Sequence, residues 1–196
     1  MKTLLITLFI TATLAAQNNE TMELPFEEIP AAQEQYTSGN MVKRMVDGLG
    51  YRYYWATEGL RPEDIDFSPS ADSRNVRQTL EHLFGLSDMI VNAAKNAPNI
   101  RPADYTGMSF EELRAGTLQN LKVASDLYQG KSAEEISMLE VIFESQGGRR
   151  AFPFWQMLNG PIADALYHTG QIVSYRRVSG NPMNSKVNVF MGRNND

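Results

Sequence analysis

Four stretches of this chain repeat their apolar side chains at the 3.6-residue period of an α-helix, and proline or glycine closes each one. In the first, residues 36–60, the pattern runs through Met41, Met45, Leu49, Tyr53 and Ala56, with Gly48 and Gly50 as its weak points. The second, residues 73–96, carries Leu80, Leu83, Phe84, Ile90 and Val91 and stops before Pro98. The third opens at Ser109, where Glu112 completes a capping box, and runs through Leu113, Leu118, Leu121, Val123 and Leu127 to Gly130. The fourth spans 154–178, with Gly180 and Pro182 beyond it. With no βαβ alternation and no internal repeat, the pattern predicts an all-α fold: one four-helix bundle with a short extended tail over "MNSKVNVFMGRNND". The stretch "EISMLEVIFES" reads as either an extended segment or a short helix, and "GGRR" as a turn.

The chain has 196 residues and no cysteine, so disulfides and thiolate ligands are excluded and a single packed core must hold one domain together. Its start, "MKTLLITLFITATLAAQ", has a lysine, an apolar run from Thr3 to Ala16 and small residues before Gln17. That layout predicts a signal peptide over 1–16, an exported chain in the periplasm or outside the cell, and no membrane span after cleavage; a single N-terminal anchor is the alternative. Residues 17–36, acidic and interrupted by Pro25 and Pro30, read as a loosely packed leader, and 37–196 as the domain. The formal charge of −5 and the lack of a basic run argue against nucleic acid as a partner.

Only two histidines are present. His168 follows Asp164 by four residues, which puts both on one helix face, and His82 sits in a different helix of the expected bundle. Two imidazoles and a carboxylate converging from facing helices could hold one divalent ion with open coordination positions, as zinc or ferrous iron accept. A buried Asp164–His168 ion pair without metal satisfies the same spacing.

"NVRQTLEHLFGLSDMI" followed by "ADALYHTGQIVSYRR" resembles the DinB/YfiT-like superfamily over roughly residues 37–180. Those proteins are four-helix bundles in which one histidine on the second helix and an H-x-x-x-H pair on the last bind a divalent metal. The resemblance implies that His82 and His168 are ligands and that Asp164 stands in place of the first paired histidine. It also implies an up-down-down-up arrangement, a homodimer, and a zinc, nickel or iron ion. The chemistry it implies spans metal-dependent hydrolases and thiol or group transferases acting on a small-molecule substrate. Export favours hydrolysis over a cytosolic thiol co-substrate, and a non-catalytic ligand-binding bundle at the envelope is the reading from a different class.

Around this core, Gln171 is a candidate to orient a ligand, and Tyr167 and Tyr175 are candidates to line the pocket. Glu81, next to His82 and about 100° away, reads as solvated. Arg149 and Arg150 are candidate anion binders at the bundle mouth, while Arg176 and Arg177 suit the negative end of the last helix. Asn159-Gly160-Pro161 predicts an irregular turn just before Asp164.

Overall fold

The structure, a computed structural model, describes residues 23–196, so the expected signal segment lies outside the described residues. Thr37 opens α1 (Ser38–Thr57) by accepting the backbone N–H of Asn40. A one-turn α2 (Pro62–Ile65) follows, and Asn75 with Gln78 forms the capping box of α3 (Val76–Ala94). After β1 (Pro98–Ile100), Ser109 and Glu112 cap α4 (Phe110–Tyr128) reciprocally. Ser132 and Glu135 repeat that device on the short α5 (Ala133–Ser137). Then come β2 (Glu140–Ser145), β3 (Gly148–Pro153), the single turn α6 (Trp155–Met157), a wide π turn (Leu158–Ile162) and α7 (Ala163–Val178). A small hairpin, β4 (Val187–Asn188) and β5 (Arg193–Asn194), ends the chain.

The four long helices pack in a ring, α1 against α4 and α7, α3 against the same two. The all-α four-helix bundle expected from periodicity is nevertheless overturned: the fold is mixed, with a three-stranded sheet and a two-stranded one built onto the helices. β1 pairs in parallel with β2, and β2 in antiparallel with β3. The physical cause lies at the end of α3. Asn96 takes a left-handed φ of 51°, which turns the chain out of the helix, and Pro98 cannot continue it. Asn99 is buried beside it, donating to the Ile142 carbonyl at 2.8 Å and accepting from Asn92 at 3.1 Å. The β-branched pair Val141 and Ile142 then buries on the helices as a strand, leaving β3 as the exposed outer edge. The tail expected to be extended folds back instead, and Tyr51 on α1 accepts the Asn188 N–H and donates to Asn194.

The described part of the segment read as a loose leader is also tied down, through Phe26 to Pro30. Phe26 is 5% exposed, and a Cβ on Gly50 would come within 2.5 Å of its ring, so the glycine that weakened the first helical pattern is what admits this side chain. The Ile29 N–H donates to Gly192, and Arg44 and Trp55 hold the Pro30 and Glu27 carbonyls. Conversely, Met41 and Met45 face outward at 59% and 42% exposure, although their spacing fits the helix.

Two buried polar clusters fix the helix ends. Arg176, 4% exposed, donates to the carbonyls of Trp55, Ala56 and Glu58, satisfying the C-terminus of α1 from the last turn of α7. Asp64, wholly buried, accepts from Arg61, Ser179 and Asn181 and so ties α2 to the end of α7. The Arg61 guanidinium beside it, helped by those neutral donors, holds the Asp64 carboxyl well below the usual carboxylate range. A carboxyl depressed in the folded state stabilises fully above its unfolded pKa near 3.9 and loses that contribution as pH falls through the folded value. Asp64→Asn is expected to cost about 2 kcal/mol at neutral pH. In urea unfolding followed by circular dichroism, the gap between parent and variant should narrow as pH drops below about 4.

Candidate metal centre

From the last residue of the π turn along α7 the buried stripe runs Ile162, Ala165, Thr169, Ile172, Arg176, a strict alternation of three and four residues. Asp164, His168 and Gln171 each precede a member of that stripe by one residue, so they line up on its flank. On α3, His82 likewise precedes the buried Leu83. Because α3 and α7 pack together, the two flanks meet. The π turn sets where α7 begins: Gly160 leaves helical geometry (φ −94°, ψ −109°), and Pro161 starts the new path.

The expected three residues converge. His82 Nε2 lies 3.1 Å from Asp164 Oδ2, and His168 Nε2 lies 3.3 Å from Asp164 Oδ1. The imidazoles stand edge to face at 4.6 Å, and one donor atom from each residue falls within 4.8 Å of the others. Donors bound at 2.0–2.2 Å to one ion at tetrahedral angles stand about 3.3–3.6 Å apart; the two contacts of Asp164, one through each of its oxygens, come near that spacing, so the group could hold a metal ion. Side-chain exposure is 12% for His168, 31% for His82 and 42% for Asp164. The group is therefore seated at its base and open to solvent on the Asp164 side.

His168 Nδ1 is 2.7 Å from Gln171 Oε1, which can only accept, so Nδ1 carries the proton. That leaves Nε2 as the nitrogen turned toward Asp164. Burial, assisted by the neighbouring His168 and Arg74, draws the His82 pKa below the ordinary imidazole value against the opposing pull of Asp164. A neutral imidazole is the form a metal requires.

The remaining candidates separate. Gln171 reaches the site through His168, as its position suggested. Tyr167 is 64% exposed and only leans on the His168 ring at 5.3 Å, while Tyr175 stacks near Phe67 at 6.2 Å on the far turn of α7. Arg149 and Arg150 project from the exposed β3 and do not join the group. Glu81, read as solvated, is only 18% exposed, pairs with Arg77 at 3.7 Å and lines the same cleft as His82. Sequence reasoning missed two arginines of that cleft, Arg74 and Arg101. Their only sequence signal was their placement in the loops that flank the histidine-bearing helix.

No protein-family model, no curated protein and no solved structure matches this chain. The geometry alone defines its class: a mixed helical and sheet domain with a His-His-Asp group that could bind a metal. Among the described residues, no helix is long and apolar enough to cross a membrane.

If Gln171 orients His168, Gln171→Leu should weaken divalent-ion affinity by about 10- to 100-fold without lowering the melting temperature of the metal-free protein. Tyr167→Phe should leave the affinity unchanged. Competition titration against a chromophoric chelator measures both.

Proposed function

We propose that this protein is a metal-dependent hydrolase in which His82, Asp164 and His168 hold one divalent ion. The observation that supports the reading is the convergence of three donors from two packed helices with the carboxylate side left open to solvent. A bound divalent ion supplies Lewis acidity to a polarised substrate bond. Within the chain, Asp164 contributes the negative charge of the ligand set, and Gln171 fixes the His168 ring and its tautomer. The packing of α3 on α7 holds His82 opposite, which keeps the donors preorganised. The likeness of the two histidine motifs to the DinB/YfiT-like superfamily supports a ligand role for His82 and His168, and the carboxylate at 164 suits harder ions as well as zinc.

The test is elemental analysis of the protein purified without chelator or histidine tag, beside His82→Ala and Asp164→Ala. About one divalent ion per chain is expected in the parent, with most of it lost in each variant. Hydrolysis of an ester and amide panel should disappear with chelator and return with added ion. A parent that takes up no metal even after reloading overturns the proposal.

A further inference from the structure

Beside the metal centre lies an open cleft of about 410 Å³. Gln78, His82, Gly85 and Met89 recur along its α3 wall at helical spacing, and the loop after β1 supplies Arg101 and Tyr105. The wall is built for close approach, since a Cβ on Gly85 would stand 3.0 Å from the Tyr105 ring. Tyr105 is fixed in turn by donating to Asp88 at 2.7 Å; burial and that carboxylate push its pKa up to about 12.

The two arginines of this cleft are not ion-paired among the described residues, although its lining also holds two acids. Among the described residues, neither Arg74 nor Arg101 has a carboxylate within ion-pair distance. The cleft's own acids are engaged elsewhere, Glu81 with Arg77 and Asp104 with the backbone N–H and hydroxyl of Thr106. His82 adds a third unmatched donor. When its Nε2 faces a metal, its proton sits on Nδ1, and metal-bound imidazoles almost always hand that proton to an acceptor. His168 gives its own to Gln171, but His82 Nδ1 meets no protein acceptor among the described residues.

We propose that this cleft binds a small organic oxyanion, a carboxylate or a phosphate, as the charged end of the substrate. Arg74 and Arg101 hold its charge, His82 Nδ1–H donates to one of its oxygens, and Met89 with the Tyr105 ring carries its apolar body. The His82 contact rests on the metal reading above, whereas the arginine contacts do not. Guanidinium groups suit both oxyanions through their planar donors. Because His82 would touch both ligands, anion and metal strengthen each other's binding by the same factor.

The parent and the Arg74→Gln/Arg101→Gln double variant are titrated by calorimetry with phenyl phosphate, benzoate and neutral benzamide, each with and without one equivalent of zinc. Both anions should bind the parent, and benzamide should not. The tighter anion identifies the head group. Zinc should tighten the anion several-fold, and the double variant should lose about tenfold or more of the anion affinity with its zinc uptake and melting temperature unchanged. Equal binding of benzamide and the anions, or full anion affinity in the double variant, overturns the oxyanion cleft. Zinc uptake without anion binding rejects the cleft and leaves the metal reading standing. Anion binding at the arginines without zinc uptake rejects the metal reading and supports the arginine subsite.

Discussion

The packing of α7 on α3 is the contact on which the site depends. It is driven by a buried stripe one residue wide, the apolar Ile162, Ala165 and Ile172 with Thr169, whose hydroxyl is satisfied by the Ala165 carbonyl, against the helical ring. Once that stripe is in place, Asp164 and His168 are carried to the α3 flank where His82 waits, without any attraction among the three being required. The group gains little stability from its own polar contacts, because partly exposed ion pairs contribute about 0–1 kcal/mol. Apolar packing supplies the position, and the polar residues use it.

The helix ends are held with equal care, and by chemistry the core cannot provide. Arg176 closes the stripe on α7 and gives its donors to the last carbonyls of α1, so the helix that carries Asp164 and His168 is locked to its neighbour. Between α1 and α4, the buried Lys43 donates to Asp47 and Ser125 at 2.9 and 2.7 Å. Buried charge of this kind rarely adds net stability over an apolar substitute, but leaving one partner alone is severely unfavourable. Such a network therefore penalises any slip of α1 against α4, which suits a scaffold that must hold donor atoms in register.

Much of this was legible in the chain. Because period, the capping box at Ser109 and proline stops are local signals, the first three long helices fell within a few residues of their expected bounds; the fourth ended where expected but began nine residues late, at Ala163 rather than 154, after the π turn. The three ligand candidates were legible too, because histidine is so scarce that its placement carries weight. The sheet was not. Residues 98–100 are too few to show an alternation, and their partner lies 44 residues on, at Ile142. Phe26 was hidden for a similar reason: one phenylalanine between two prolines shows no period, and only the cavity above Gly50 explains it. Met41 and Met45 erred the other way, since periodicity reports a helix but not which neighbours cover each of its faces.

The sequence by itself determined, within a few residues, the bounds of the first three long helices and the end of the fourth, and that Asp164 and His168 share a face, because each follows from the backbone geometry of a few consecutive residues; the lack of cysteine excluded disulfides. Only the tertiary structure decided that a sheet caps the helices, that His82 closes on Asp164 at 3.1 Å, and that Arg74 and Arg101 stand in the cleft beside it. Those outcomes depend on the packing angle and register of segments far apart in the chain, up to 82 residues for His82 and Asp164, which are set by the fit of buried surfaces rather than by local propensity.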